Sequence, residues 1–436
     1  MKTINWSQLS QSERIDCLSR PALGNNQELT QKVSQILATV KDQGDQAIAS
    51  YTKAFDGVDI KDIRVTSEEL LEAEGLVDQN TKIAMDTAIA NIKEFHKKQL
   101  SQSLEVETMP GVSCRRISRP IEKVGLYVPG GTAPLPSTVM MLAIPASIAG
   151  CQVKVLCTPP RKDGTIDPNI LVAASKAGIT DIYKVGGAQA IGAMAYGTET
   201  IPKVFKIFGP GNSWVTEAKV QVAADPNGAV YDMPAGPSEV LVIADKTANT
   251  NFIAADLLSQ AEHGKDSQVL LVTTSATIAA GVTQAVSDQL KALSRKDIAA
   301  SALENSSIVL VDSLDEAISV SNAYGPEHLI IQVEDPEAAL LKITNAGSIF
   351  LGPWTPESVG DYASGTNHVL PTYGYTKSVS GLALDSFMTQ ISVQKLTEIG
   401  LRRLGPSVEQ LAAVEGLDAH KNAVTIRLNS IKETAK

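Results

Sequence analysis

Three short apolar runs between residues 124 and 212 each lead directly into a glycine-rich turn, and this repeat limits the fold most. The runs cover residues 124–128, 181–185 and 204–207, and helical patterns follow the turns. The turns contain Pro129-Gly130-Gly131, Gly186-Gly187-Ala188-Gln189 and Phe208-Gly209-Pro210-Gly211-Asn212. A strand, a glycine turn and a helix repeated in this way predict a parallel α/β domain.

The glycine turns are also candidate ligand sites. Glycine lets the backbone approach a phosphate closely, and the N-termini of helices favour anions. None of the three turns matches the G-x-G-x-x-G dinucleotide fingerprint. From the residues alone, a dinucleotide site and ordinary glycine-containing loops are therefore equally good interpretations.

A second alternation of strands and helices covers residues 240–351. We predict strands at 240–244, 269–273, 308–311, 329–333 and 348–351, with helices between them. Residues 352–382 show no regular pattern and are rich in Gly, Ser, Thr, Asn and Pro. Loops of that length are usually functional, so this stretch is a candidate site segment.

Helices and short terminal segments flank these two blocks. Residues 28–56, 79–100 and 385–431 have helical apolar spacing, residues 1–24 read as a short polar arm, and His96 is interpreted as solvated. We therefore expect four parts. They are an N-terminal arm (1–24), a discontinuous first α/β domain (25–126 plus 239–382), a second α/β domain with the glycine turns (127–238) and a C-terminal helical tail (383–436).

Charge and cysteine content restrict the partners and the compartment. Lys and Arg total 38 while Asp and Glu total 48, so the net charge is 38 − 48 = −10. This acidic balance argues against nucleic-acid and anionic-membrane partners. No apolar run approaches the roughly 18 residues of a membrane-spanning helix. Four scattered cysteines, interpreted as structural, and an N-terminus without a signal-peptide pattern favour a cytoplasmic protein.

Glu327 and His328 are candidates for acid/base chemistry. They follow Gly325-Pro326 and precede the apolar run 329–333, so a bend into a strand can bring both side chains to one site. A neighbouring carboxylate and imidazole can transfer protons near neutral pH. Taken alone, however, these residues fit a turn with a solvated Glu and a half-buried His better.

Other polar residues form a candidate metal site. Gln260 and His263 lie three residues apart at the end of a predicted helix, 250–263, beside a strand end, where α/β sites form. Asp361 and His368 lie on the long loop, and His420 lies on the tail. His263, Asp361 and His420, with Gln260 as a weaker oxygen ligand, suit a zinc-class metal. By spacing alone, capping and core histidines remain the better explanation.

Three classes of function fit these residues. An NAD-linked dehydrogenase is only slightly favoured over a metal hydrolase or aldolase that uses the same His/Asp cluster. The non-enzyme alternative is a ligand-binding receptor built from two α/β lobes. The reduced cysteines and the missing signal-peptide pattern argue against a periplasmic receptor.

Eight segments, all in the same order, resemble the histidinol dehydrogenase family across nearly the whole chain. They are residues 125–131, 185–191, 208–212, 232–239, 257–264, 324–329, 360–372 and 420–424. The resemblance implies two incomplete Rossmann-type domains with small terminal helical segments exchanged in a homodimer, where the tail of one subunit completes the other's site. It also implies a zinc enzyme that oxidises L-histidinol to L-histidine with two NAD, through bound L-histidinal, in the last two steps of histidine biosynthesis.

The resemblance also implies roles for individual residues. Glu327 and His328 would be the acid/base pair, and we add the hypothesis that His328 serves the alcohol step and Glu327 activates water. Gln260, His263, Asp361 and His420 would bind one zinc ion per subunit. The implied substrate contacts are Ser238, Gln260, His263, His328, Asp361, Glu415 and His420, and the implied NAD contacts are Tyr127, Gln189 and Asn212.

Overall fold

The structure is a computed structural model that describes residues 1–20, 27–100, 103–130 and 134–433. Its strands are β1 (Lys2–Asn5), β2 (Leu104–Met109), β3 (Val112–Pro120), β4 (Lys123–Tyr127), β5 (Val153–Thr158), β6 (Asp181–Lys184), β7 (Lys206–Phe208), β8 (Val230–Tyr231), β9 (Glu239–Ala244), β10 (Gln268–Thr273), β11 (Ser307–Leu310), β12 (His328–Gln332), β13 (Ser348–Leu351) and β14 (Met388–Leu396). Its helices are α1 (Gln11–Cys17), α2 (Gln27–Gln43), α3 (Asp45–Phe55), α4 (Ser67–Leu76), α5 (Gln79–Lys97), α6 (Pro136–Ala149), α7 (Pro168–Lys176), α8 (Gly187–Tyr196), α9 (Ser213–Ala224), α10 (Thr250–Ala261), α11 (Ala276–Leu290), α12 (Lys296–Glu304), α13 (Leu314–Tyr324), α14 (Pro336–Leu340), α15 (Glu357–Tyr362), α16 (Glu398–Val414) and α17 (Asp418–Glu433). Among the described residues, no helix has both the length and the apolar character that crossing a membrane requires. The chain divides into two units, one of Met1–Gln99 with Ile121–Phe387 and one of Leu100–Pro120 with Met388–Lys436.

The three strand–turn–helix repeats form a five-stranded sheet in the first unit. Its order is β6-β5-β4-β7-β8, and every pairing is parallel. As predicted, β4, β6 and β7 lead into α6, α8 and α9. Helix α6 is apolar and almost entirely buried, as expected for a helix that covers a parallel sheet. The carboxyl ends of these strands meet at one edge, which carries the described parts of all three turns; Gly131 lies outside the described residues.

A six-stranded parallel sheet, also in the first unit, has the order β1-β11-β10-β9-β12-β13. From β9 onward, its strands match the predicted ranges to within one residue at each end. Residues 2–5, within the segment predicted to be a polar arm, form the edge strand β1. An edge strand pairs through its backbone and leaves polar side chains in solvent, so its sequence does not look like a buried strand.

The first long helix, α2, packs on the five-stranded sheet. Val33, Ile36 and Leu37 of α2 share a core with Tyr127 and Val155 of the five-stranded sheet. Helix α2 therefore covers that sheet, whereas the predicted division grouped residues 25–126 with 239–382. Apolar spacing shows which face of a helix is buried, but it does not show which sheet covers that face.

His96 was predicted to be solvated, and this was wrong. Its side chain is fully buried, Nδ1 lies 2.9 Å from the carbonyl oxygen of Ile92, and the ring stands edge-on to Phe95. His96 continues the apolar face of α5 four residues after Ile92, whereas Lys97 and Lys98 are exposed. The helical periodicity of α5 predicts the burial of His96 better than the charges of the neighbouring lysines do.

The second unit combines a small antiparallel sheet with two helices. Its strand order is β14-β3-β2. The tail was predicted to be helical from residue 385, but residues 388–396 first form β14 because β3 offers backbone groups that need partners. Helices α16 and α17 then follow as predicted.

Candidate active site

Glu327 and His328 lie where helix α13 leads into strand β12. Gly325 has a left-handed conformation (φ 65°) that ends α13, and β12 begins at His328. Because Glu327 precedes the strand, the two side chains need not point to opposite faces. Both are buried, and His328 Nδ1 lies 3.5 Å from Glu327 Oε2. The predicted bend is confirmed, and it brings the pair to one site.

This site lies at the amino edge of the six-stranded sheet. Strands β9 and β12 begin there, at Glu239 and His328, and run parallel. Since β10 is parallel to β9, the connecting helix α10 returns to the amino edge and brings Gln260 and His263 with it. The general rule for open α/β sheets favours carboxyl ends, and the sequence pattern did not show that this site uses amino ends.

The backbone of Glu239 contacts both members of the pair. Its N–H donates to Glu327 Oε2 at 2.8 Å, and its carbonyl oxygen lies 3.1 Å from His328 Nδ1. A carbonyl oxygen can only accept, so Nδ1 carries the proton in the neutral ring and Nε2 is the basic atom. His328 Nε2 lies 3.4 Å from Asp361 Oδ1 and makes no hydrogen bond with any described residue.

Burial and charge act in opposite directions on these groups. Burial raises the pKa of Glu327, and the opposing effect of His328 only partly offsets it. Burial alone would lower the pKa of His328, but Glu327 and Asp361 raise it well above its ordinary value. Burial also works to raise the pKa of Asp361, yet His328 holds it well below its usual range. The imidazole is therefore a stronger base than free histidine.

Gln260 is fully buried and oriented by a neighbouring carboxyl group. Its Nε2 donates to Glu357 Oε1 at 2.5 Å, and Ser259 Oγ donates to Glu357 Oε2 at 2.6 Å. This orientation leaves Gln260 Oε1 as a buried acceptor without a hydrogen bond to any described residue. Burial, and then the charge of Asp361, raise the pKa of Glu357 to about 8, so a proton there relieves the repulsion between the two carboxyl groups.

Glu357 is a site residue that the sequence reasoning missed. Within the part of the chain that the structure describes, ligand atoms of His328, Glu357 and Asp361 all lie within 4.8 Å of one another, close enough to hold a metal ion. Helix α15 places Glu357 and Asp361 four residues apart on one face. This segment was predicted to be irregular, because six residues are too few to show a helical period. The spacing of the two carboxylates was the available signal.

His263 lies just beyond the end of α10 and contacts Ser238. Ser238 Oγ is 3.1 Å from His263 Nδ1, and electrostatic interactions link His263 with Asp361 and His328. The fold thus gathers residues from four separate parts of the chain. The predicted site residues gathered here are Ser238, Gln260, His263, Glu327, His328 and Asp361.

His368 supports the segment that carries Asp361. Its Nδ1 lies 2.7 Å from the backbone carbonyl oxygen of Asp361, and its Nε2 lies 3.3 Å from Thr138 Oγ1. With both ring nitrogens engaged, His368 connects the long segment to helix α6.

Glu415 and His420 belong to the second unit. Glu415 is the residue that ends α16, and His420 lies in the first turn of α17. Both side chains are exposed.

A second candidate site lies at the carboxyl edge of the five-stranded sheet. A cavity of about 740 Å³ opens there, and Tyr127, Gln189 and Asn212 all line it. The Tyr127 hydroxyl accepts from the Gly187 N–H at 3.0 Å, and Gln189 Oε1 is buried without a hydrogen bond to a described residue. Asn212 Oδ1 caps α9 by accepting from its first N–H groups. The cavity therefore faces the N-termini of α8 and α9, where anions are favoured.

Comparisons with known proteins bear directly on this pair of sites. Residues 19–428 match the family model described as histidinol dehydrogenase. The chain belongs to the histidinol dehydrogenase family. It is 55% identical over 433 residues to the histidinol dehydrogenases of Vibrio cholerae and Vibrio parahaemolyticus, covering 99% of this chain and 100% of each relative. The crystal structure of histidinol dehydrogenase from Elizabethkingia anophelis is similar as well, with a TM-score of 0.96, 50% identity and 99% of both chains covered.

Family membership confirms three predictions. The resemblance was correct, the chain is an oxidoreductase of the histidinol dehydrogenase type, and the fold is α/β with parallel, Rossmann-like sheets. The same relationship connects the chain to histidine biosynthesis.

Proposed function

We propose that this chain catalyses the four-electron oxidation of L-histidinol to L-histidine through bound L-histidinal, using two NAD and one zinc ion per subunit. The observation that carries the proposal is the buried Glu327–His328 pair beside the cluster of Gln260, His263 and Asp361. An acid/base pair next to nitrogen and oxygen ligands suits a reaction that removes protons from an alcohol and then from water.

The donor set fits zinc. Gln260, His263 and Asp361 supply one nitrogen and two oxygen ligands, and His420 would supply a second nitrogen. Gln260 Oε1 is a buried acceptor without a described partner, as expected of an atom that completes its coordination with a cation. The carboxyl end of α10 also favours positive charge. Glu357 orients the Gln260 amide from behind, as residues around metal ligands commonly do.

The cavity at the glycine turns fits NAD. The N-termini of α8 and α9 suit its diphosphate. Gln189 Oε1 has no hydrogen-bond partner among the described residues and can accept from a ribose hydroxyl or an amide N–H. Tyr127, Gln189 and Asn212 would make these contacts. When bound, zinc would position the substrate and polarise its oxygen, while NAD would accept the hydride in each step.

His328 acts on the alcohol. Its Nδ1 is held by the Glu239 carbonyl, so Nε2 is the atom that takes the hydroxyl proton as the alcohol is oxidised. The imidazolium that results is stabilised by Glu327 and Asp361 on either side.

Glu327 acts on water in the aldehyde step. Glu327 Oε2 is held by the Glu239 N–H, and the raised pKa of this buried carboxyl makes it a stronger base than a solvated glutamate. It removes a proton from the water that attacks the aldehyde carbon, and the hydrate is then oxidised to the acid.

The substrate site is completed by a second copy of the chain, as a homodimer. Glu415 and His420 are exposed in the second unit, and so are several large apolar side chains that favour burial in an interface. These apolar residues are Ile391, Ile399, Leu411, Val414 and Ile426. Mixing His420→Asn subunits with Glu327→Gln subunits should restore the complete oxidation to L-histidine, which each variant alone performs poorly; failure to recover it would argue against shared sites.

A direct assay separates this proposal from a metal hydrolase or aldolase. Purified protein, zinc, NAD and L-histidinol should produce two NADH for each histidinol, followed by absorbance at 340 nm. A hydrolase or aldolase would produce none. Because the described cysteines are all free thiols, we also propose a reducing, cytoplasmic location.

A further inference from the structure

Arg20, near the N-terminus, binds the side chain of Glu239, the residue whose backbone contacts both members of the acid/base pair. Its Nε and Nη2 bind the two carboxylate oxygens of Glu239 at 2.5 and 2.9 Å. The pair is nearly buried, with side-chain exposures of 11% for Arg20 and 2% for Glu239. A bidentate Arg–carboxylate pair fixes orientation as well as charge.

The same guanidinium also holds the turn that precedes Glu327. Arg20 Nη2 donates to the carbonyl oxygens of Tyr324 and Gly325 at 3.0 and 3.2 Å. Its centre lies 3.9 Å from the centroid of the Tyr324 ring, an additional cation–π contact. Arg20 therefore connects the start of β9 to the turn that enters β12.

Glu239 transmits this restraint to the reacting groups. Its N–H binds Glu327, and its carbonyl binds His328 Nδ1. Its side chain also accepts from the Tyr373 N–H at 2.8 Å, so Arg20 and the long segment hold one carboxylate between them. Displacement of Glu239 would move both members of the pair together.

We propose that Arg20 is the positioning residue of the Glu327–His328 pair and acts through Glu239. This inference rests on the proposed function of that pair. The hydrogen bonds of Arg20 go to Glu239, Tyr324 and Gly325, and its contribution is to hold the Glu239 backbone that contacts Glu327 and His328. It also neutralises a carboxylate that would otherwise be buried and uncompensated next to the site.

The first test replaces Arg20 by Gln. Both half-reactions, histidinol to histidinal and histidinal to histidine, should lose kcat by on the order of a hundredfold, the effect of a displacement of about 1 Å. Zinc content and the dissociation constant for NAD should stay within about twofold, since Arg20 lies outside both binding sites. Loss of thermal stability with kcat unchanged would show a merely structural role and overturn the proposal.

Two further variants keep the proposal testable if Arg20→Gln does not fold. The double variant Arg20→Gln/Glu239→Gln removes the uncompensated charge but still lacks the two-pronged contact, so its kcat should stay roughly tenfold or more below that of the unsubstituted protein. Arg20→Lys keeps the charge but loses the two-pronged geometry, so its kcat should fall by roughly tenfold. A double variant with full kcat would show that only the buried charge mattered, and that result, or a Lys variant with full kcat, would contradict the positioning role.

Arg14→Gln is the matched control. Arg14 is another half-buried arginine of the same N-terminal segment, and it stacks over Trp6 and donates to the Trp6 carbonyl. It should retain kcat within about twofold. Glu327→Gln, measured in the same assay, tests the underlying function separately: full turnover in that variant would refute the pair's role and not only that of Arg20.

Discussion

The two candidate sites of the first unit use opposite edges of parallel sheets. The cavity with Tyr127, Gln189 and Asn212 lies at a carboxyl edge, where the N-termini of α8 and α9 point. The cluster around His328 lies at an amino edge, where α10 ends. Helix N-termini attract anions and helix C-termini attract cations. The helix N-termini therefore suit the carboxyl edge to the phosphates of a dinucleotide. The C-terminus of α10 suits the amino edge to a metal ion and an amine.

Metal removal should have the largest effect on turnover, and it should affect the amino-edge site but not the carboxyl-edge site. Chelation should abolish turnover, and added zinc should restore it, because three of the four proposed ligands, Gln260, His263 and Asp361, lie at the amino edge. NAD binding, at the other edge, should change by no more than about threefold. Full turnover of metal-free protein would refute the ligand set, and parallel loss of NAD binding would refute the separation of the edges.

Glu327→Gln should slow the two half-reactions at the amino edge to different extents. Oxidation of histidinal should fall by about 10²–10⁴, the usual contribution of a general base, whereas oxidation of histidinol should fall far less because His328 remains. Single-turnover NADH formation from each substrate measures the two steps. Equal loss of both steps would contradict the proposed division of labour.

Gln189→Ala should weaken the carboxyl-edge site alone. Loss of one hydrogen bond of about 1.4 kcal/mol raises the dissociation constant for NAD by about tenfold. Quenching of Trp214, which lines the cavity, provides the measurement. Gln284→Ala, an exposed glutamine on α11, is the control and should bind NAD normally. Zinc content should not change in either variant.

The smallest expected effect is a change in pH dependence. In the proposed mechanism, alcohol oxidation requires neutral His328, whose pKa Glu327 and Asp361 raise above the ordinary 6.5. The rate of this step should therefore rise with pH through that raised pKa. Glu327→Gln removes one of the two charges, so the rise should move to lower pH. An unmoved profile in the histidinol half-reaction would argue against His328 as the base.

Local patterns predicted much of the fold. The glycine turns identified the five-stranded sheet, and the strands from β9 to β13 were predicted to within one residue. The bend at Gly325 also placed Glu327 beside His328 as expected. Each of these features depends on residues that are close together in sequence.

Other features required the fold because the residues involved are far apart. Residues 2–5 join a sheet as an edge strand, and α2 covers the five-stranded sheet, although neither partner can be recognised in the local sequence. Glu357 enters the site through a helix of only six residues, in a segment that looks irregular.

The sequence by itself determined that this chain forms parallel α/β layers, and its ordered motifs indicated the family to which it belongs. Only the tertiary structure decided which sheet edge each motif reaches. It also brought Arg20 to Glu239, across 219 positions. Strand and turn preferences act over a few residues, whereas a site of this kind forms when buried charges and backbone groups from distant segments satisfy one another.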